Sequence, residues 1–118
     1  MLSSKPCSSA KLVLSPTAAN LDQSSFQLNS LRPCVTMGSQ GDLILKGPLI
    51  SRCHVQLELE PEKGALYVLD TSTNGTFLNG QRLPKSGKVA IFHGDELVFP
   101  DQKGKIGDFG FMVNLELT

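Results

Sequence analysis

From Val55 to Glu60 the sequence VQLELE alternates apolar and polar residues without a break. A period of two sends odd-numbered side chains to one face and even-numbered ones to the other, as in a strand with one face on a core and one in water. Pro61-Glu62-Lys63-Gly64 is turn chemistry, and residues 65–70 return as an apolar partner strand, so the pair reads as an antiparallel hairpin. The same rhythm runs through the chain. Strands are expected at residues 11–14, 26–29, 34–37, 43–45, 76–78, 81–83, 89–91, 96–99 and 109–117. Between them stand Ser15-Pro16, Arg32-Pro33, Gly38-Ser39-Gln40-Gly41-Asp42, Lys46-Gly47-Pro48, Asn79-Gly80 and His93-Gly94-Asp95. Asn79-Gly80 is the strongest hairpin signal, because both residues tolerate the positive φ of a type I′ turn. No stretch keeps the i, i+3, i+4, i+7 spacing of an amphipathic helix over three turns. The expected fold is all-β, a sandwich of two twisted antiparallel β-sheets. Its core is expected to hold Val35, Met37, Ile44, Val55, Leu57, Leu66, Val68, Phe77, Leu97, Phe99, Phe111 and Val113.

At 118 residues the chain can bury a core of its own and needs no metal or disulfide as a staple. Residues 1–10, MLSSKPCSSA, read as a flexible Ser-rich N-terminal tail, and residues 11–118 as one domain. That tail is too polar for the apolar part of a secretory signal, and no run approaches the ~18 apolar residues of a membrane-spanning helix. Lys plus Arg number 11 and Asp plus Glu 11, a balance that argues against a general nucleic-acid or membrane-surface partner. Cys7, Cys34 and Cys53 are odd in number and form no CxxC pair, so neither a zinc site nor a disulfide framework is read. A reducing, intracellular compartment is the simplest setting. No metal or other cofactor is implied.

Two polar clusters close apolar runs: Ser51-Arg52-Cys53-His54, and Thr71-Ser72-Thr73-Asn74-Gly75-Thr76. If residues 55–59 and 66–69 pair as an antiparallel hairpin, its outer ends meet and both clusters share one rim. The rim would present the hydroxyls of Ser51 and Thr73, the amide of Asn74, the guanidinium of Arg52 and the backbone donors at Gly75. Hydroxyls, amides and cations all donate to phosphate oxygens, so this set suits an oxyanion. A catalytic reading is weaker. Ser51 and His54 sit on one short segment with no orienting carboxylate placed by spacing, so no catalytic residue is assigned. Cys53 reads as a small, buried hydrophobe rather than a redox sensor.

Taken in order and spacing, several pieces together resemble the forkhead-associated (FHA) domain. They are Gly38; Asp42-Leu43-Ile44-Leu45; Ile50-Ser51-Arg52-x-His54; Asp70-x-Ser72-x-Asn74-Gly75-Thr76-x-x-Asn79-Gly80; and Gly94-Asp95-Glu96. The resemblance runs from about Lys11 to the C-terminus. It implies an FHA/SMAD-like sandwich with binding loops at one end, and a signalling adaptor whose partner is a phosphorylated protein, read through a phosphothreonine peptide. It further implies a nuclear rather than cytoplasmic setting and a place within a larger multidomain protein. By position, Ser51 is expected to hydrogen-bond the phosphate, Asn74 to bind the peptide backbone, Thr73 to meet the phosphate or the threonine methyl, and Arg52 to lie against the ligand. Leu49 and Gln81 are expected to read flanking side chains. His54 is implied to tie the loops together, and Gly38, Gly75, Asn79 and Gly80 to serve backbone geometry.

The sequence departs from the family at Ser39, which follows Gly38 where the pattern has a phosphate-gripping arginine. Serine offers one neutral hydroxyl in place of a charged fork. Arg52, Arg32 and Lys46 are the candidate substitutes, Arg52 first because Ser51 fixes its place on the rim. The same departure motivates an alternative, a phosphate-independent protein–protein interaction or dimerisation scaffold with the same fold.

Overall fold

The computed structural model describes residues 6–17, 23–85, 87–100 and 106–118, with the backbone alone for residues 106–109. Residues 1–5 of the expected tail, and the expected loop segments at 18–22 and 101–105, lie outside the described residues. The strands are β1 Ser9–Pro16, β2 Ser24–Asn29, β3 Cys34–Gly38, β4 Leu43–Ile44, β5 Val55–Glu60, β6 Ala65–Asp70, β7 Phe77–Leu78, β8 Gln81–Arg82, β9 Lys88–Ile91, β10 Glu96–Pro100 and β11 Ile106–Leu117. They form a six-stranded sheet, β2-β1-β11-β10-β7-β8, and a five-stranded sheet, β4-β3-β5-β6-β9. The sandwich expected from the alternation is present. All pairings within the two sheets are antiparallel except β3 with β4, where Met37 lies opposite Leu43 in parallel.

The β5–β6 hairpin shows why the rule of two works here. Val55, Leu57 and Leu59 of β5 and Leu66, Val68 and Asp70 of β6 face inward, with the residues between them half-buried. Val55 pairs with Asp70 and Glu60 with Ala65, so the hairpin brings the start of β5 beside the end of β6. A short 3-10 turn over Pro61–Lys63 reverses the chain, closed by Gly64 in the left-handed region at φ 58°.

The core lies between the sheets. The larger sheet contributes Ala10, Leu12, Leu14, Leu28, Leu97, Phe99, Phe111 and Val113, and the smaller one Val35, Met37, Val55, Leu57, Leu66, Val68 and Ile91. Two expected core residues are corrected. Ile44 is 54% exposed, whereas Leu43 and Leu45 are buried, because the alternation through 43–45 has the opposite phase. Phe77 is only half-buried, on a two-residue strand near the sheet edge. The tail expectation is also corrected from Cys7 onward. Cys7 N donates to Pro61 O at 2.8 Å and Ser8 N to Thr118 O at 2.7 Å, and Ala10 is fully buried opposite Leu117. Composition alone could not show that the turn at Pro61 and the C-terminal end of the chain supply these residues with partners.

The Asn79-Gly80 hairpin has the expected turn, with φ of 51° and 85°. Its tip is also tethered: Asn79 Nδ2 donates to Asp95 Oδ1 at 3.0 Å, and Glu96 N donates to Asn79 Oδ1 at 2.9 Å. Asn79→Gly keeps the backbone preference and loses the tether, while Asn79→Ala loses both. We expect the alanine variant to cost about 2 kcal/mol and the glycine variant about 1 kcal/mol, read as shifts in denaturation midpoint. Equal midpoints for both variants and wild type would mean that the tether contributes nothing.

Candidate functional site

Both polar clusters sit at the end of the sandwich where β5 begins and β6 finishes. Residue 70 is inward-facing by parity, which buries the Asp70 carboxylate to 2% exposure. Burying a carboxylate is costly unless it is bonded, and Asp70 Oδ1 accepts three donors. They are Ser72 N at 3.1 Å, Ser72 Oγ at 2.6 Å and Thr76 Oγ1 at 3.0 Å. Gly75 N in turn donates to Ser72 Oγ at 2.8 Å. The 71–76 loop is thus folded around one acid. Neither Asp70 nor Ser72 was singled out as a site residue from the sequence, although Asp-x-Ser is the signature of a side chain that caps its own turn.

Thr71 at the base of this loop donates from N to His54 O at 3.1 Å and from Oγ1 to Cys53 O at 2.7 Å, and three further bonds tie its tip to the 49–54 loop. Thr73 N donates to Ser51 Oγ at 3.1 Å, Asn74 Nδ2 donates to Leu49 O at 3.0 Å, and His54 Nε2 meets Gly75 O at 2.8 Å. A third segment closes the rim. Ser39 N donates to Ser51 O and Gln40 N to Arg52 O, both at 3.0 Å, and His54 N donates to Met37 O at 2.7 Å. Gly38 permits this approach: a Cβ there would lie 2.2 Å from the Arg52 carbonyl oxygen.

His54 is the hub of the three segments. It is fully buried, and its ring stands edge-on to Phe99 with centroids 5.3 Å apart. Ser51 N donates to its Nδ1 at 3.1 Å, so the neutral ring carries its proton on Nε2 and donates to Gly75 O. Burial holds its pKa below the ordinary histidine value, against the opposing pull of the Gly75 carbonyl and the Asp70 charge. Both ring nitrogens are therefore committed to backbone groups. Neither is available to take a proton from the Ser51 hydroxyl.

The structure brings Ser51, Arg52, Thr73 and Asn74 together around a shallow depression edged by Leu49 and Ile50, while Ser39 does not line it and is joined to it only through its backbone bond to Ser51 O. Ser51 is half-buried, and Arg52, Thr73, Asn74 and Ser39 are exposed. Arg52 has no carboxylate partner among the described residues, whereas Arg32, another candidate cation, pairs with Asp42 at 3.5 Å. Gln81 pairs with Leu78 at the hairpin tip and is exposed, and the guanidinium of its neighbour Arg82 lies against Gly75. The cysteines are free and half-buried, and among the described residues no group of three or more His, Cys, Asp or Glu could hold a metal.

The family model of the FHA domain matches residues 35–100. The chain is 31% identical over 94 residues to the serine/threonine-protein kinase RAD53 of Saccharomyces cerevisiae, covering 77% of this chain and 11% of that protein. It is 31% identical over 62 residues to the serine/threonine-protein kinase cds1 of Schizosaccharomyces pombe, covering 48% of this chain and 14% of that protein. A further 64 residues' match, at 38% identity, is to the DNA damage response protein kinase DUN1 of Saccharomyces cerevisiae, covering 49% of this chain and 12% of that protein. The chain thus spans no more than 14% of the length of these relatives. Among solved structures, it superimposes on the N-terminal FHA domain of S. cerevisiae RAD53, in complex with a phosphothreonine peptide, with a TM-score of 0.72 and 24% identity, covering 92% of this chain and 93% of that one. Full-length yeast Pml1p gives 0.70 and 21% identity, covering 92% and 82%. At these identities the structures establish a shared fold.

Proposed function

Since the chain belongs to the FHA domain family, we propose that it is a phosphothreonine-recognition module that docks phosphorylated protein partners through this rim. The carrying observation is the Thr73 N to Ser51 Oγ bond. By accepting from Thr73, the Ser51 hydroxyl is turned so that its own proton is free for an incoming oxyanion, with the Thr73 hydroxyl and the Arg52 guanidinium beside it. Charge-assisted bonds to phosphate are the strongest hydrogen bonds available to such a set. Arg52 supplies the positive charge that Ser39 does not, and Ser39 joins the rim through its backbone bond to Ser51 O. Asn74, held to Leu49 O, is placed to meet the backbone of the bound peptide. The reading extends to a place within a larger signalling protein and to a nuclear setting, supported by the kinase relatives and by the name of DUN1 as a DNA damage response kinase.

The test is fluorescence anisotropy against phosphothreonine peptides and their unphosphorylated twins. Binding is expected for the phosphorylated form alone. Ser51→Ala removes one donor to a charged group and one loop tie, and should weaken binding about tenfold or more while a thermal melt shows the domain still folded. Equal affinity for both peptide forms, or an unchanged affinity in Ser51→Ala, would sink the proposal and favour a phosphate-independent scaffold.

A further inference from the structure

Beside the phosphate set, the rim holds a second guanidinium. Gly75 has φ +97°, and a Cβ built there would stand 2.9 Å from both Cζ and Nε of Arg82 and 3.0 Å from Nη2. Three guanidinium atoms at nearly one distance mean that the group lies broadside to Gly75, in the space a side chain would occupy. Arg82 belongs to β8, held by Phe77 opposite it and by the Asn79 tether to Asp95 and Glu96, so a braced hairpin fixes where this charge stands.

Among the described residues no acid forms an ion pair with Arg82, and the Asp70 carboxylate inside the same loop is bonded to Ser72 and Thr76. Glu58 and Glu60 pair with Lys88 and Asp42 with Arg32, and Asp95 accepts from Phe92 N and Asn79. An exposed arginine is ordinarily just hydrated, and most carry no function. Arg82 differs in being laid against the one loop that also carries Thr73 and Asn74. Along that loop the chemistry runs in a fixed order, from the Ser51 and Thr73 hydroxyls, through the Asn74 amide, to Gly75 with the Arg82 cation. A peptide in extended form advances about 3.3 Å per residue, so one anchored by its phosphate and held along its backbone would carry a flanking side chain past Arg82.

We propose that Arg82 forms a second anion subsite, taking a carboxylate or a second phosphate that flanks the phosphothreonine. The proposal rests on the phosphothreonine reading of the rim and adds to it a preference for doubly anionic partners. Carboxylate and phosphate are both matched by a planar guanidinium fork.

The experiment compares phosphothreonine peptides that differ only in their flanks: neutral, Asp- or Glu-bearing, phosphoserine-bearing and Lys-bearing. Each is titrated against wild type, Arg82→Gln and Arg82→Glu. Wild type should bind acidic-flank peptides up to about fivefold tighter than neutral ones, the upper end for one exposed ion pair, and the doubly phosphorylated peptide more tightly still. The preference should shrink as salt rises. Arg82→Gln should erase it while leaving neutral-flank affinity within about twofold of wild type, which also reports that the rim is intact. Arg82→Glu should turn the preference toward Lys-bearing flanks. A preference that survives Arg82→Gln, or a wild type that binds all phosphothreonine peptides alike, overturns the subsite and leaves the primary reading standing. Failure of wild type to bind any phosphothreonine peptide overturns both.

Discussion

Replacing Gly38 by alanine is expected to remove a large part of the domain's stability, and peptide binding with it. The added Cβ would lie 2.2 Å from Arg52 O, 2.7 Å from Arg52 C and 2.8 Å from His54 N, all backbone atoms. A flexible side chain could turn aside; a backbone strap cannot. Relief requires moving residues 38–40 off the 51–54 loop, which stretches the bonds from Ser39 N to Ser51 O and from Gln40 N to Arg52 O. Overpacking against fixed backbone plus weakened hydrogen bonds should total about 3 kcal/mol or more, a substantial share of the ~5–15 kcal/mol that holds a domain together. Gly80→Ala is the control. Gly80 has φ +85° but nothing within 4 Å of its would-be Cβ. That substitution therefore carries conformational strain alone, about 1 kcal/mol. Denaturant midpoints for the two variants, with anisotropy for peptide affinity, separate the effects. Equal losses would show that the 38–40 strap is not packed against Arg52 as described.

Gly38 also marks the boundary of what a sequence can disclose. A glycine within turn chemistry announces that the chain bends there, but not that the next loop's carbonyl passes through the space of its missing side chain. The hairpin at Val55–Glu60 and the Asn79-Gly80 turn were legible because their signals are local: parity along one strand, and two residues that accept positive φ. Meeting of the two clusters on one rim followed from that hairpin. The phase of residues 43–45 was not legible, since three consecutive apolar residues fit either parity and only pairing with β3 selects Leu43 and Leu45 for the core. Asp70 was half-legible. Parity places it inward with Leu66 and Val68, yet only the structure shows Ser72 and Thr76 gathered on its carboxylate. Ala10 and Arg82 depend on contacts with residues far away in the chain or across a loop, which no local pattern encodes.

Stability should fall in mild acid through His54, and His54→Phe should remove that dependence together with peptide binding. The neutral ring has one acceptor, Nδ1, and Ser51 N–H occupies it at 3.1 Å. A proton on Nδ1 sets two donors against each other and charges a fully buried ring. Burial, the largest cause, therefore depresses the folded-state pKa below the ordinary 6.5, with Gly75 O and Asp70 opposing it. The sign follows directly. Between the lowered folded value and 6.5 the unfolded chain binds more protons, so stability is full above about pH 6.5 and declines as pH falls through the folded pKa, by at most about 1.4 kcal/mol per pH unit for one group. Phenylalanine keeps an aromatic ring against Phe99, though a somewhat larger one, and cannot accept from Ser51 N or donate to Gly75 O. Leaving those two groups unpaired should cost about 2–5 kcal/mol at neutral pH. It should also loosen Ser51 and Gly75 together, which lowers phosphopeptide affinity in whatever fraction remains folded. The other histidine, His93, is present in both proteins, as are all the carboxylates, so the difference between the two stability-versus-pH curves isolates His54. That difference should be largest at neutral pH and narrow toward pH 5. A constant difference across the range would show that His54 is not held neutral by the rim, and that the loops are joined by the remaining Ser51–Thr73, Asn74–Leu49 and Thr71–Cys53 bonds and by Thr71 N to His54 O.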